Sequence, residues 1–193
     1  MLTKQAKTLN DSQIRAVTKY LEGTRNGLRN QIMFLLSLHG FRAKEVADLK
    51  VTMLTDGEGK LAKMISLTNE ASKGKSGRTV PMSKELQELL GRYLQSRGSA
   101  SEFVIVTERS EKFSANAVTV WFKRLYTKLG FTGCSSHSGR RSFITRCARK
   151  VSQAGGSMRD VMALAGHTNL QTTQRYVEQS TDAQEKLIEL VLS

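Results

Sequence analysis

Apolar residues recur every three or four positions along most of the chain, and this spacing is typical of helices that bury one face. Ile14, Val17 and Leu21 form the first such stripe, which Asn10 or Asp11 can cap. The predicted helices cover about 11–22, 25–39, 43–49, 83–96, 137–153, 157–165 and 170–178, with two more beginning at Ser114 and Thr181. The pattern therefore predicts a mainly helical protein.

The pattern changes to alternation in the middle of the chain, which is typical of strands. Residues 60–68 and 77–81 are predicted to pair as an antiparallel hairpin, with the polar segment 69–77 as their connection. Residues 51–56 are expected to form a further strand, and 103–106 a short extended piece. The predicted fold class is mainly α with a small antiparallel β-sheet (α+β).

The chain of 193 residues is long enough for one domain with a substantial core, and no internal repeat or linker divides it. We expect a single domain over 1–193. The longest apolar run, at 32–38, is far shorter than a membrane span, and the first ten residues lack the apolar stretch of a signal peptide. A membrane partner is therefore not expected.

Positive charge is the first property that indicates a partner. The 30 Lys and Arg residues oppose 17 Asp and Glu, for a net charge of +13. Residues 178–193 carry −3, so residues 1–177 carry +16. A polyanion is the natural partner for such a chain, because cations that neutralise phosphates release counterions. A merely soluble basic protein is the alternative.

The two cysteines, Cys134 and Cys147, form neither a disulfide framework nor a zinc-binding pattern. So few cysteines fit a reducing compartment, and we expect a cytoplasmic protein. The sequence also contains no compact group of carboxylates that would hold Mg²⁺, so neither a metal nor another cofactor is expected.

Residues 134–151 place a histidine and an arginine on the inner face of a predicted helix. His137 and Arg140 are three residues apart, and the same face continues through the apolar residues Ile144, Cys147 and Val151. At the start of a helix the free N–H groups and the helix dipole add to the side-chain charge, which suits an anion. A buried arginine paired with an internal carboxylate is the alternative.

Two segments earlier in the chain carry weaker basic candidates. Arg42 follows the helix-ending Gly40, and Glu45 can orient its guanidinium, although an arginine at a helix start is commonly a surface residue. Lys73 and Lys75 lie at the tip of the predicted hairpin, where either can contact a DNA backbone or protonate a leaving group. A solvated turn is the alternative for both lysines.

His167 and Tyr176, nine residues apart, complete the set of candidates. A tyrosine hydroxyl is a weak nucleophile at neutral pH, but nearby cations make its phenolate easier to form. Arginines bind the non-bridging oxygens of a phosphate, a histidine helps remove the phenolic proton, and a lysine protonates the departing 5′ oxygen. Two arginines, two histidines, a lysine and a tyrosine are thus suited to attack by tyrosine on a phosphodiester.

Four segments resemble, in order, the boxes of the tyrosine recombinases, the phage integrase family. They are GFRAKEV at 40–46, SKGKSGRTVP at 72–81, HSGRRSF at 137–143 and LAGHTNLQTTQRY at 164–176. The last is the most specific, because it combines the closing Gly-His pair with a tyrosine nine residues after the histidine. The resemblance implies that family's catalytic-domain fold, and site-specific cutting and rejoining of DNA through a 3′-phosphotyrosyl link without metal or ATP.

The catalytic set that this resemblance implies is Arg42, Lys73, His137, Arg140, His167 and Tyr176. In such a set the arginines clamp the phosphate, the first histidine accepts the tyrosine's proton, and the second supports the transition state. The lysine is the general acid, and the tyrosine forms the covalent link. Lys75 is the alternative general acid, and Glu45 falls where the family often has an acid that supports the first arginine.

Outward bases near this face are expected to contact DNA phosphates, which position a protein without specifying sequence. They are Lys44, Lys75, Arg78, Lys123, Arg124 and Arg141. A solvated surface position is an equally good interpretation of each.

The resemblance implies double-stranded DNA as the partner and a tetramer on DNA, with a monomer or weak oligomer in its absence. An apolar strip at 187–192 in a last helix over 181–193 suits a groove on a neighbouring protomer, with docking on its own core as the alternative.

Family members usually carry an N-terminal clamp domain, and the single domain expected over 1–193 does not include one. The chain is therefore expected to be either a small stand-alone member or a piece of a longer chain. DNA relaxation like that of type IB topoisomerases, and DNA binding without cutting, are the alternative functions.

Overall fold

The structure, a computed structural model, describes residues 5–72, 77–98, 101–176, 188 and 191–192. Two strands, β1 (Met64–Leu67) and β2 (Arg78–Pro81), pair antiparallel. The principal helices are α1 (Asp11–Glu22), α2 (Gly27–Leu38), α3 (Ala43–Ala47), α4 (Lys84–Arg97), α5 (Ala115–Lys128), α6 (Ser138–Lys150), α7 (Met158–Ala165) and α8 (Leu170–Gln174). The predicted α+β class is confirmed. Among the described residues, no helix combines the length and apolar character needed to cross a membrane.

Side-chain caps set the starts of three of the longer helices. Asn10, Ser83 and Ser114 each accept a hydrogen bond from the backbone N–H three residues later, as the sequence pattern predicts. α2 is followed by Gly40, whose φ of 86° is a left-handed conformation that favours glycine. A Cβ at Gly40 would also lie 2.7 Å from the ring of Phe143, so this turn requires glycine on both counts.

α2 lies at the centre of the larger apolar core. Its residues 32–37 are all buried, and the helix packs against α1, α4 and α6. The sheet contributes Ile65 and Val80, which face each other across the two strands. Because α6 packs against α2, this core holds the first residues of α6 in place.

A second, smaller apolar cluster lies among α6, α7 and the residues after α8. Ile144, Val161 and Ala165 are its fully buried members, and Tyr176 packs against them. The tyrosine ring is therefore held by packing on the same short helices that carry the other candidates of the closing segment.

α2 and α6 approach closely at Gly139, where an added Cβ would overlap Ser37 Oγ and lie 2.9 Å from Ser37 Cβ. Replacing Gly139 with alanine is expected to lower the free energy of unfolding by about 1–3 kcal/mol, because the two helices must separate. Gly91 is the matched control, since it lies exposed within α4 and, apart from the local helix backbone, no atom of the described residues lies within 4 Å of its added Cβ. Gly91→Ala should raise the free energy of unfolding by about 0.5–1 kcal/mol. Urea denaturation measures both, and equal midpoints would contradict this packing.

Residues 51–56 do not form the predicted strand. Val51–Met53 is a 3-10 helix, and Thr55 makes an isolated antiparallel bridge to Leu61. Met53 and the adjacent Leu54 are both buried, which a helical turn permits and a strand with alternating faces does not. Of the extended piece predicted at 103–106, only Phe103 makes a bridge, to Lys50, and the next two residues lie in a bend. The predictions for the hairpin tip at 73–76 and for residues 177–187 lie outside the described residues.

Candidate active site

The C-terminal end of α7 gathers three arginines from distant parts of the chain. Three successive backbone carbonyls each accept a hydrogen bond from a different guanidinium. The pairs are Arg78 Nε to Leu164 O at 2.8 Å, Arg140 Nη2 to Ala165 O at 2.6 Å and Arg42 Nη2 to Gly166 O at 3.2 Å. Carbonyls at the end of a helix lack intrahelical donors and form the negative end of its dipole, so cations are favoured there. The helix end therefore holds together the two arginines predicted from the sequence and a third.

Glu45 is the carboxylate among these cations. Its side chain is fully buried and accepts from Arg42 Nη1 at 2.7 Å, from Arg78 Nη1 at 2.8 Å and from Arg78 Nη2 at 3.0 Å. The backbone N–H of Arg42 donates to the same carboxylate at 2.8 Å. Burial acts to raise the pKa of Glu45, but the hydrogen bonds and charges of Arg78 and Arg42 hold that pKa below its ordinary value. Among the described residues, one ionised carboxylate thus opposes three guanidinium groups, which gives this part of the site excess positive charge.

Arg140 lies on the inner face of α6, as its spacing from Ile144 predicts, and is 5% exposed. Among the described residues, its hydrogen bonds go to the backbone carbonyls of Gly40 and Ala165, and not to an internal carboxylate. Burial, and then the charge of Arg42, lowers the pKa of Arg140 to about 10, so it remains a cation at neutral pH. Within the part of the chain that the structure describes, the alternative of a carboxylate-paired Arg140 is therefore wrong.

His137 precedes the first residue of α6 and is exposed, so the prediction that it lies on the inward stripe needs correction. It forms one wall of a cleft of about 400 Å³ that also contains Arg140, Arg141, Arg175 and Tyr176. The backbone N–H of His137 donates to Ser135 Oγ at 3.3 Å, which turns the chain into the helix. A histidine and a buried arginine from the start of α6 therefore share one cleft with the tyrosine that follows α8.

His167 stacks on Tyr176, with ring centroids 5.8 Å apart and planes 23° from parallel. Its Nδ1 lies 2.9 Å from the hydroxyl of Thr173, a fully buried residue whose carbonyl also accepts from the backbone N–H of Tyr176. Thr173 therefore fixes both candidates. Thr173 was not among the predicted residues, although its spacing of three residues from Tyr176 was an available signal.

The pKa of His167 is lowered to about 4 by burial and by the charges of Arg140, Arg42 and Arg78. The imidazole is thus neutral at neutral pH. Because the folded pKa lies below the ordinary 6.5, the unfolded chain binds more protons between pH 4 and 6.5. The contribution of His167 to the free energy of unfolding is therefore fully present above pH 6.5, and it is lost as the pH falls towards 4.

A titration of the imidazole resonances by NMR is expected to show this shift directly. The chain has three histidines, which His→Gln variants assign. The expected midpoint for His167 in the folded protein without DNA is well below 6.5, near 4. A midpoint at the ordinary value would mean that the three arginines do not surround the ring.

Five of the six predicted DNA-contacting bases fall into three groups. Lys44, Lys123 and Arg124 are exposed, and Lys44 also makes an ion pair with Asp48 at 3.4 Å. Arg141 is half-buried at the cleft and donates to the carbonyl of Ala6 at 3.2 Å. Lys75, like the general-acid candidate Lys73, lies outside the described residues.

The prediction that Arg78 is an outward base needs correction, because its side chain is directed inward and is only 6% exposed. The signal was present in the sequence: Arg78 lies two residues before the buried Val80, and alternate residues of a strand share a face. Arg175, which precedes Tyr176 and lies in the cleft, was also not among the predicted residues. Its position one residue before the tyrosine was the available signal.

Residues 7–183 match the model of the phage integrase family. The chain belongs to the phage integrase family. The tyrosine recombinase XerA of Thermococcus kodakarensis is 31% identical over 187 residues, 93% of this chain and 62% of the relative. XerA of Pyrococcus horikoshii is 29% identical over 195 residues, 96% of this chain and 64% of the relative. The chain thus spans slightly less than two thirds of these curated relatives.

Solved structures of phage integrase family members share the fold. The Tn1549 transposon integrase, in complex with transposon right end DNA, matches with a TM-score of 0.75 at 19% identity, over 100% of this chain and 68% of that one. The crystal structure of XerA recombinase matches with a TM-score of 0.72 at 22% identity, over 95% of this chain and 62% of that one. The helical architecture with its small sheet is therefore the catalytic-domain fold of tyrosine recombinases.

Proposed function

We propose that this chain is the catalytic part of a site-specific DNA recombinase that cuts and rejoins strands through Tyr176. The observation that carries the proposal is the shared cleft of His137, Arg140 and Tyr176, with His167 stacked on the tyrosine. Arg42 joins the same group through the carbonyl of Gly166, the residue before His167. Membership of the phage integrase family supports the same conclusion.

In the proposed reaction, Tyr176 Oη attacks a backbone phosphorus, a tyrosyl O–P bond forms, and the bond from phosphorus to the 5′ oxygen breaks. His137 accepts the phenolic proton, and the 5′ oxygen takes a proton from a general acid, for which Lys73 is the candidate. Attack by a free 5′ hydroxyl on the phosphotyrosine reverses each step. The covalent link retains the energy of the broken phosphodiester, so rejoining needs no nucleotide.

The charge balance of the site suits this phosphate. Arg42 and Arg140 approach from two elements and can donate to its non-bridging oxygens, where charge grows in the transition state. Without DNA His167 is neutral, and in this form it can contribute a hydrogen bond and no charge. We assign its tautomer from this role: the Thr173 hydroxyl donates to Nδ1, which leaves the proton on Nε2 for a phosphate oxygen.

Double-stranded DNA is the proposed substrate, and the exposed Lys44, Lys123 and Arg124, with Arg141 at the cleft, are proposed phosphate contacts. Lys75 is also proposed to contact a DNA phosphate. Assembly into a tetramer on DNA is also proposed. The exposure of Ile188, Val191 and Leu192, at 61%, 73% and 80%, supports docking of that strip on a neighbouring protomer. Light scattering with and without bound DNA measures the assembly.

Covalent trapping tests the proposed function and does not require the target sequence to be chosen beforehand. The protein is incubated with a pool of duplexes that have a random central sequence and a nick, so that cleavage releases a short fragment and religation cannot occur. Denaturing gels are expected to show a protein–DNA adduct, and sequencing of the captured DNA should recover one preferred site. Adducts without sequence preference, together with relaxation of supercoiled plasmid, would favour a topoisomerase-like activity. Binding without any adduct would favour a regulator and overturn the proposal.

A further inference from the structure

The side chain of Arg78 is surrounded by other protein groups. Arg78 begins β2, directly after the hairpin tip, and its side chain is 6% exposed. Within the described part of the chain, its guanidinium makes four hydrogen bonds, to Leu164 O, to both oxygens of Glu45 and to Gly40 O at 3.3 Å. The group also lies 5.6 Å from the ring centroid of Phe41. These contacts use most of the five N–H donors that an arginine has.

Arg42 differs from Arg78 although both bind Glu45. The Arg42 side chain is 22% exposed, and its described side-chain bonds are those to Glu45 and to Gly166 O. Among the described contacts, Arg42 therefore retains most of its donors for a phosphate, whereas Arg78 retains one, on a side chain that is only 6% exposed. Because Arg78 occupies both carboxylate oxygens of Glu45, the carboxylate cannot rotate, and the oxygen that Arg42 contacts stays in one place.

Arg78 also connects the hairpin to the turn that carries His167. A Cβ at Gly166 would lie 2.8 Å from Arg78 Nη1, so the guanidinium rests directly against that glycine. The carbonyl of Gly40 accepts from Arg78 and from Arg140, which ties the buried arginine of α6 to the same group. One side chain thus contacts Glu45, which pairs with Arg42, the carbonyl that Arg140 also binds, and the glycine that precedes His167.

We propose that Arg78 is a positioning residue, which holds Arg42 through Glu45 and holds His167 through the end of α7, and does not touch the DNA. The inference rests on the proposed function, and it adds a residue that acts through its neighbours. Lysine cannot replace it, because a single ammonium cannot span Leu164 O and both oxygens of Glu45 as a planar guanidinium does.

The experiment compares wild type with Arg78→Lys and Arg78→Met, and with Arg25→Lys and Arg25→Met as matched controls. Arg25 also pairs with a glutamate, Glu108 at 3.0 Å, but is 84% exposed. Three readouts are taken: the single-turnover rate of adduct formation on the trapped DNA, the salt dependence of binding to a random-sequence duplex, and the NMR titration of His167. Circular dichroism confirms folding.

We expect Arg78→Lys to slow adduct formation by about 10- to 100-fold, the range found when a partner that orients a metal ligand is lost. The slope of log affinity against log salt should stay unchanged, because no phosphate contact is lost. The pKa of His167 should stay low in Arg78→Lys, which keeps the charge, and rise in Arg78→Met. The Arg25 variants should match wild type in all three readouts.

Other outcomes overturn the inference. A salt slope reduced by about one charge would mean that Arg78 contacts DNA directly, and a wild-type rate in Arg78→Lys would mean that its geometry is not needed. If wild type itself forms no adduct, the proposed function fails and the titration decides alone. A raised His167 pKa in Arg78→Met would then still support the coupling, and an unchanged pKa would end it.

Discussion

Tyr176→Phe is expected to abolish covalent capture of nicked DNA and to leave DNA affinity nearly unchanged. Phenylalanine retains the ring that stacks on His167 and packs against Ile144, Val161 and Ala165, so the site keeps its shape. The substitution removes only the oxygen that forms the bond to phosphorus. Denaturing gels measure the adduct, and fluorescence anisotropy measures affinity on the same duplex.

Tyr20→Phe is the matched control for the loss of a hydroxyl. Tyr20 lies on α1 with the ammonium of Lys128 5.6 Å from its ring centroid, outside the basic cleft. The other two tyrosines of the chain, Tyr93 and Tyr126, are 8% and 1% exposed and belong to the larger core. Full adduct yield is expected from Tyr20→Phe. An adduct that persisted in Tyr176→Phe would show that another group attacks the phosphorus.

Arg140→Lys is expected to have the second largest effect, on both catalysis and stability. The guanidinium binds the carbonyls of Gly40 and Ala165 and still faces the cleft with Tyr176, so it can stabilise charge on a phosphate. Loss of one such preorganised donor typically slows a reaction about 10²- to 10³-fold. A lysine also leaves a buried carbonyl without its donor, at a cost of about 1–3 kcal/mol in the free energy of unfolding.

Single-turnover cleavage and urea denaturation separate the two effects of Arg140→Lys. Both are measured at neutral pH on protein that circular dichroism shows to be folded. Arg25→Lys is the control, because it changes an exposed arginine in the same chemical way. Cleavage within about threefold of wild type by folded Arg140→Lys protein would exclude its guanidinium from the transition state.

Periodicity alone predicted most of the helices and the hairpin, because each of these elements buries one face at regular spacing. The caps at Asn10, Ser83 and Ser114 were equally local signals. The wrong prediction of a strand at 51–56 also came from periodicity. Its short apolar pattern fits either a strand or a tight turn, and packing of the adjacent Met53 and Leu54 decided for the turn.

The candidate site was predictable only in part. The sequence indicated Arg42, Arg140 and Tyr176 by position and resemblance, but the convergence of the arginines depends on three carbonyls at the end of α7, which no local pattern reveals. Arg78 shows the limit most clearly. Its strand periodicity directed it inward, yet its glycine-rich basic surroundings suggested a surface residue, and only the fold shows the buried Glu45 that compensates its charge.

The most direct test is a structure of the protein with orthovanadate and its selected duplex, gapped to leave a 3′ and a 5′ hydroxyl at the cleavage point. Vanadate with these hydroxyls and a tyrosine mimics the five-coordinate phosphorus. The account predicts a bond from vanadium to Tyr176 Oη, with Arg42, Arg140, His137 and His167 arranged around its oxygens. Vanadium bound away from Tyr176, or those four side chains on separate surfaces, would contradict it.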